Sequence, residues 1–395
     1  MRVFPVRPIS EDLMIFRRDR QTKFANDAIQ RELETELRGL LKPRIGITGS
    51  FGRGNYGDEL FVRVYEHWLG QWADLTLLTA LHRPWYFRDI RTTQADLMDA
   101  VVLGGGDLLC PYREWIDPDF INPMYLRRPV HVAGIGVEND RVEIDSSVVE
   151  RWTDFLTHPS VRSISTRDVG SAEWITEQIN PHVRVTSHAD LVCALPLPPV
   201  DRREDTPILG IVTRYARDPK DYRQLEEIAA AFISKGWHVR HIIGGVEDHG
   251  RRDLRNAEQL RVEGKETFHS NQIDDVTRAL GECSLLLSMK LHTTIVATMY
   301  GVPTVSIHPV PKTRAFMASI GREELVVEPT DPRLFTILEE GVPDVSMDKV
   351  DELRAQAVAY LKELSQRIWD DYRNASAARQ HVLPATVAWV DGDES

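Results

Sequence analysis

The sequence predicts an α/β protein of two Rossmann-like domains that face a cleft, followed by a long C-terminal helix. Two observations support this prediction. Short apolar runs alternate with amphipathic stretches along the chain, which is the pattern of parallel α/β sheets. A proline-rich segment near the middle separates two such series, and 395 residues are enough for two domains with a core each.

The first series of strands predicts a domain over residues 44–195, after an N-terminal extension with a helix at residues 1–43. Its predicted strands are, in order, "RIGITG", "LTLLTAL", "AVVLGG", "VHVAGIGV", "VRSISTR" and "VRVTSHADLVC". The stretch "DELFVRVYEHWLGQW" follows the first strand, and its apolar residues fall on one helical face. We therefore expect a helix packed on the sheet directly after the first strand.

A linker is expected at residues 196–207, because the four prolines and the charge cluster of "LPLPPVDRREDTP" cannot continue a helix or a central strand. The second domain is expected at residues 208–345, with the strands "ILGIVTR", "HVRHIIGG", "SLLLSM", "PTVSIHP" and "ELVVEP". Within it, "EDHGRRDLRNAEQLR" is favoured as a solvated helix face over a recognition patch.

The last segment, residues 346–395, is predicted to be a helix from Ser346 to about Leu383 with a tail. Its apolar stripe must pack on something, and docking across the two domains is favoured over a partner-binding helix. The stripe consists of Val350, Leu353, Tyr360, Leu361, Leu364, Ile368 and Trp369.

Composition limits the classes of function. A net charge of -12 argues against a surface built to hold nucleic acid, although a local basic pocket for a small anion remains compatible with it. The three cysteines, Cys110, Cys193 and Cys283, lie far apart, as in a reduced protein that buries them as small apolar groups. The N-terminus lacks the apolar core of a signal peptide, and no run of 18 apolar residues exists. We expect a cytoplasmic protein without a transmembrane segment.

The glycine-rich loop "GSFGRGNYGDEL" has the G-x-G-x-x-G spacing of a dinucleotide site. Two features argue against that function. The acidic residue expected at the end of the second strand is absent, since His82 and Arg83 stand there. Asp58 and Glu59 also occupy the first helical turn, where they would repel a pyrophosphate. The loop better suits a neutral, hydroxyl-rich ligand held by Asn55 and Asp58, and the alternative is a structural turn with Asp58 as a helix cap.

An anion site is predicted in the second half, where "LLLSM" runs into a helix. Lys290, His292, Thr293 and Thr294 crowd the N-terminus of that helix at a strand's carboxyl end. Three further cations follow strands that end at the same edge: Arg214, Lys312 and Arg314. Each could be an ordinary surface charge, but their joint placement favours a site for a phosphorylated or carboxylated substrate.

These motifs resemble those of the polysaccharide pyruvyl transferase family. The matching elements are "GNYGDE", "VVLGGGDLL", "HVAGIGV", "SISTRDVGSAEWI", "KLHTTIVATMYGVP" and "HPVPKTRAFMASIG", in the family's order between Arg44 and Gly321. The resemblance implies a fold like that of the two-domain GT-B glycosyltransferases. It also implies transfer of a pyruvyl group from phosphoenolpyruvate to two hydroxyls of a sugar in a glycan or glycolipid, with no further cofactor.

The resemblance also implies roles for individual residues. The donor, phosphoenolpyruvate, would be held by Arg214, Lys290, His292, Thr293, Lys312 and Arg314. The acceptor would be faced by Asn55, Gly57, Asp58, Gly105 and Asp107. One departure is that the family usually has arginine where this chain has Lys290, and lysine keeps the charge but loses the bidentate fork.

The chemistry requires an acid for the methylene of phosphoenolpyruvate, a base for the attacking hydroxyl and cations for the phosphate. His292 is the candidate acid or phosphate ligand, and Asp58 is the candidate base. We expect no metal, because no Asp/His cluster has metal-ligand spacing. A lipid-linked acceptor would bring the protein to the inner face of the membrane. Two alternatives stay open: a GT-B-type glycosyltransferase that uses a nucleotide-sugar, and a non-catalytic protein that binds a glycan or a phosphorylated metabolite.

Overall fold

The computed structural model describes residues 42–78, 94–112, 120–138, 143–202, 205–215 and 221–380, with side chains up to residue 375. Most of the expected N-terminal extension, together with His82 and Arg83, lies outside these residues. Residues Pro43–Asp371 form one compact unit. Among the described residues, none of the helices combines the length and the apolar character needed to cross a membrane.

The first half contains a parallel sheet of six strands in the order β2-β1-β3-β4-β5-β6. The strands are β1 (Arg44–Thr48), β2 (Asp74–Leu77), β3 (Ala100–Leu109), β4 (Val130–Val137), β5 (Val161–Thr166) and β6 (Val185–Ser187). The helices are α1 (Tyr56–Trp68), α2 (Ser146–Leu156) and α3 (Val169–Gln178), with 3-10 turns at Pro123–Arg127 and Leu191–Ala194.

The second half contains a parallel sheet of five strands in the order β11-β10-β7-β8-β9. The strands are β7 (Ile208–Val212), β8 (His238–Ile242), β9 (Glu266–Phe268), β10 (Leu285–Ser288) and β11 (Thr304–Ser306). The helices are α4 (Arg223–Ser234), α5 (Glu247–Ala257), α6 (Ile273–Gly281), α7 (Leu291–Met299), α8 (Pro311–Ser319), α9 (Arg333–Glu340) and α10 (Met347–Gln380).

The predicted pair of Rossmann-like sheets and the long C-terminal helix are confirmed. Two strand assignments differ. The apolar "ELVVEP" is not a strand, because Glu323–Leu325 forms a 3-10 turn and only Val326 makes a bridge, to Ser306. The strand β9 was not expected, since its three residues, "ETF", carry no apolar run. The strand β9 lies at the edge of the second sheet and is formed through its pairing with β8.

One apolar core joins the two halves and α10. It contains Ile47 and Phe61 of the first half, Ile295 of the second half, and Leu361 and Leu364 of α10, all within 1% of full burial. The predicted stripe of α10 is buried except at Trp369, which is half-buried and packs edge-on against Trp72 with 5.9 Å between ring centroids. Because one core spans both halves, it fixes the position of the first sheet relative to the second.

Candidate active site between the two sheets

A cavity of about 310 Å³ lies where the carboxyl ends of the two sheets meet. Its walls come from the last part of β3, which contributes Asp107, and from the segments after β1, β7 and β10, which contribute Asn55, Arg214 and Lys290 respectively. The strand order reverses between β1 and β3 in the first sheet and between β7 and β10 in the second. Ligands of doubly wound sheets bind at such switch points, so both halves present their usual binding position to one cavity.

The glycine loop does not offer free amides to a phosphate. The Oε1 atom of Glu59 accepts hydrogen bonds from the backbone N–H of Gly52 at 2.8 Å and of Gly54 at 2.9 Å. A dinucleotide site would need these donors for its pyrophosphate. The geometry therefore supports the sequence argument against dinucleotide binding. Glu59 stabilises the conformation of the loop through these two hydrogen bonds.

Two glycines of this loop allow the halves to approach each other. Gly54 has a φ of +80°, and a Cβ atom there would lie 2.1 Å from the carbonyl oxygen of Val246. The carbonyl of Gly54 accepts the N–H of Val246 at 2.8 Å. A Cβ atom on Gly57 would lie 1.9 Å from Nδ1 of His292. The glycine spacing thus serves contact between the halves and brings His292 against the start of α1.

Asp58 lines the cavity from the first turn of α1. Its Oδ2 accepts a hydrogen bond from Nδ2 of Asn55 at 3.0 Å. Burial raises the pKa of Asp58 from 3.8 to about 6, against the opposing effects of His292 and Asn55. At neutral pH the group is a carboxylate that is held at an energetic cost, which is the condition of a general base.

His292, in the first turn of α7, lines the same cavity. Its Nε2 is 3.5 Å from Oδ2 of Asp190, whose side chain is 4% exposed. Phe61 meets the ring edge-on at 5.4 Å between centroids. Burial raises the pKa of Asp190, but His292 and Arg167 more than reverse this and lower it. Asp190 of the first half therefore holds a negative charge beside Nε2, while Nδ1 faces Gly57.

Lys290 is not a free cation. Its Nζ forms an ion pair with Asp253 of α5 and donates to the carbonyl of Gly244 at 2.6 Å. The Asp253 side chain is 4% exposed, so the pair lies inside the protein. The segment "EDHGRRDLRNAEQLR" has the expected solvated face, where Arg251 and Arg255 are exposed, while Asp253 and Asn256 lie on the buried face of α5. Asp253 pairs with Lys290, and Nδ2 of Asn256 donates to the hydroxyl of Thr213 and to the carbonyl of Arg214.

Asp107, at the end of β3, links the two halves. It accepts a hydrogen bond from Nζ of Lys312 at 2.5 Å and forms an ion pair with Arg167. Burial would raise the pKa of Asp107, but the two cations outweigh it and hold the pKa well below its usual range. Asp107 is therefore ionised. If it contacts the acceptor as expected, it does so while it is paired with Arg167 and Lys312.

The exposed mouth of the cavity carries further positive charge. Arg214 is exposed, and its Nη1 donates to Nε2 of His308 at 3.1 Å. Arg252 is also exposed and lines the same cavity. Thr293 is buried deeper, and its hydroxyl bonds to the carbonyl of Lys290 at 2.9 Å. An anion entering from solvent would meet the two arginines first.

Two residues of the sequence-based set lie elsewhere. Arg314 is exposed on α8 and is not among the residues that line the cavity. Gly105 has a φ of +90°, and a Cβ atom there would lie 2.3 Å from the ring of Phe61. Its position allows α1 to pack closely on β3, while the neighbouring Gly106 lines the cavity.

Sequence reasoning missed several residues of the site. Arg167 and Asp190 follow β5 and β6, so their place after strands was a usable signal. No sequence signal distinguished Asp253, because it lies in a helix with many other charged residues. His249 and Arg252 share that helix, and His308 follows β11.

The fold defines the class of protein first. The fold resembles that of the UDP-GlcNAc 2-epimerase of Methanocaldococcus jannaschii, with a TM-score of 0.51 and 8% sequence identity over 82% of this chain and 100% of that one. It also resembles the UDP-N-acetylglucosamine 2-epimerase of Rickettsia bellii, with a TM-score of 0.50 and 10% identity over 87% and 99%. At these identities the likeness concerns the fold alone, which is of the GT-B type.

The sequence then defines the family. The family model described as polysaccharide pyruvyl transferase matches residues 55–308, more than half of the chain. This chain belongs to the polysaccharide pyruvyl transferase family. No curated protein sequence matches it significantly.

Proposed function

We propose that the protein transfers the pyruvyl group of phosphoenolpyruvate to two hydroxyls of one sugar in a glycan or glycolipid, with release of phosphate. One observation carries the proposal. Asp58, whose pKa is raised to about 6, and His292 line the same cavity as the basic side chains of Arg214, Lys290 and Lys312. A base, an acid and cations are the three requirements of this reaction.

The donor would bind through its two anionic groups. Arg214 and Arg252 at the mouth are suited to the phosphate, since guanidinium groups bind phosphate oxygens in pairs. The carboxylate would lie nearer to Lys290 and to the free N–H groups at the start of α7. Because Asp253 already balances the charge of Lys290, we expect lysine here to orient the donor more than to attract it.

The reaction proceeds in two additions to one carbon. A protonated His292 gives its proton to the methylene carbon of phosphoenolpyruvate, while a sugar hydroxyl attacks the adjacent carbon and loses its proton to Asp58. A second hydroxyl of the same sugar then displaces the phosphate, which leaves with that hydroxyl's proton. The methylene has become a methyl group, and the product is a cyclic ketal.

The catalytic groups must then be reset. After one turnover Asp58 carries a proton and His292 lacks one, so a proton has to pass from the first to the second. Both groups line the same cavity, and the charge of His292 favours the carboxylate form of Asp58. Asp190 stabilises the protonated ring that results. Asn55 holds the Asp58 carboxylate toward the acceptor through its hydrogen bond.

The proposal is tested by incubating the protein with phosphoenolpyruvate and a panel of glycans. We expect phosphate release that depends on a glycan, with a ketal-bearing product in the mass spectrum. Product from a nucleotide-sugar would contradict the proposal and favour a glycosyltransferase. Tight binding of phosphoenolpyruvate without turnover on any glycan would favour a binding protein.

A further inference from the structure

A second cavity, of about 450 Å³, adjoins the proposed active site. It lies at the carboxyl ends of β5 and β6, against α7, α8 and α10. Arg167, Leu291 and Lys312 line both cavities, so the ion cluster around Asp107 forms part of the wall between them. Both cavities therefore belong to one cleft that follows the edge of the first sheet.

The lining of the second cavity suits a ligand that is polar but uncharged. Leu291, Ile295, Phe316 and Leu353 form an apolar wall. Ionised side chains are balanced, with three of each sign: Arg167, Lys312 and Lys349 against Asp168, Asp190 and Glu352. A sugar ring has an apolar face and a rim of hydroxyls, and it matches an apolar wall next to paired charges and amide groups.

His188 lines this cavity and is held in one orientation. Its Nδ1 lies 2.7 Å from the carbonyl of Ala189 and donates to it, since a carbonyl can only accept. The ring stacks on Tyr360 of α10 at 3.9 Å, which fixes its orientation. Burial lowers the pKa of His188, so the ring is neutral and Nε2 is unprotonated. This buried Nε2 has no hydrogen-bond partner within the described part of the chain.

Size separates the roles of the two cavities. Ligand pockets span roughly 300–1,000 Å³, and the first cavity stands at the lower end although it has to receive both a donor and a reacting sugar. A glycan acceptor longer than one sugar must continue outside it. The second cavity is larger, and Val169 at its edge is 62% exposed, so it is open to solvent.

We propose that the second cavity binds the sugar unit next to the one that receives the pyruvyl group. This inference rests on the proposed function. It assigns the protein an acceptor of at least two sugars, with the neighbouring unit packed on Phe316 and Leu353.

The test fills the cavity from its solvent side. Ala315 of α8 is exposed and lines the cavity, so Ala315→Trp would occupy it without disturbing the core. Ala318→Trp, also exposed on α8 but away from the lining, is the matched control. The labelled wild-type chain is applied to a glycan array in the absence of phosphoenolpyruvate, and the strongest glycan is then titrated against all three proteins.

We expect binding to glycans of two or more sugars and not to single sugars. We also expect a Kd at least tenfold weaker in Ala315→Trp and a change below twofold in Ala318→Trp. The proposal is overturned if no glycan binds, if single sugars bind as well as longer glycans, or if Ala315→Trp binds like the control. Phosphoenolpyruvate takes no part in this measurement. A protein that binds glycans here but does not transfer a pyruvyl group would therefore contradict the proposed function and not this inference.

Discussion

The ionised carboxyl group of Asp58 destabilises the folded state, because burial disfavours its charge. A carboxylate would lie more easily in water, yet α1 presents it to a partly buried cavity where the pKa is about 6. The residue types at this site could be read from the sequence, because Asp58 and His292 begin helices that follow strands. Their partners could not, since Asp190 and Asp253 are placed by packing between segments far apart in the chain.

Asp58→Asn is expected to stabilise the protein while it slows the reaction. The folded pKa of Asp58 lies above its unfolded value of 3.8, so the wild type loses stability as the pH rises from about 4 to about 6, and the Asn variant does not. The gain should reach at most about 3 kcal/mol above pH 7 and vanish below pH 4. Urea unfolding at a series of pH values measures it.

The same variant should lose about 10²–10⁴-fold in turnover, the range for a general base. Glu59→Gln is the control for stability, because Glu59 holds the Gly52 and Gly54 amides and its loss should weaken the fold. If Asp58→Asn left both turnover and stability unchanged, the carboxyl group would have no part in the chemistry.

Asp190→Asn tests whether Asp190 positions His292. The change removes a charge 3.5 Å from Nε2, so we expect kcat to fall by about 10²-fold or more while the KM for phosphoenolpyruvate stays within a factor of two. Asp145→Asn is the control, since asparagine also caps α2 well and Asp145 lines neither cavity. A parallel rise in KM and loss of kcat in Asp190→Asn would point to a structural role instead.

Strands could be predicted where the sequence has an apolar run, and helices where apolar residues fall on one helical face. The interior strands β4 and β7 and the helices α1 and α10 follow this rule. The short strand β9 did not, because an edge strand of three residues depends on its neighbour β8 rather than on its own sequence. The glycine loop was recognised by its spacing, but its purpose became clear only from what it touches.

Gly57→Ala tests that purpose at the start of α1. A Cβ atom 1.9 Å from Nδ1 must displace His292, so turnover should fall at least 10²-fold. Gly170→Ala is the matched control in the first turn of α3, where the nearest atom would be 3.6 Å away. A Gly57→Ala variant that retained full activity would show that His292 need not sit against α1.

At the scale of the whole molecule, the two halves share a core rather than meeting across a polar interface. Residues of both halves and of α10 belong to it, and Asp107–Lys312 and the Gly54–Val246 hydrogen bond add links between the halves. The linker predicted at residues 196–207 lies between the two sheets, and both sheets belong to the compact unit Pro43–Asp371. The shared core of this unit depends on contacts between segments far apart in the chain.

A single calorimetric transition is expected for this unit. Leu364→Ala in α10 should lower the free energy of unfolding by about 2–5 kcal/mol and shift the whole transition to lower temperature, because Leu364 is fully buried in the shared core. Lys362→Ala, exposed on the same helix, is the control. Two separated transitions, with only one shifted by Leu364→Ala, would contradict a common core.

In the proposed reaction, the methylene of phosphoenolpyruvate takes a proton and both hydroxyls of one sugar become bonded to the adjacent carbon. The direct measurement is the reaction in D₂O, followed by NMR of the isolated product. We predict a cyclic ketal whose methyl group carries one deuterium, together with one phosphate per ketal. A product that keeps the methylene as an enol ether, or a glycan left unmodified while phosphoenolpyruvate is consumed, would contradict this reaction.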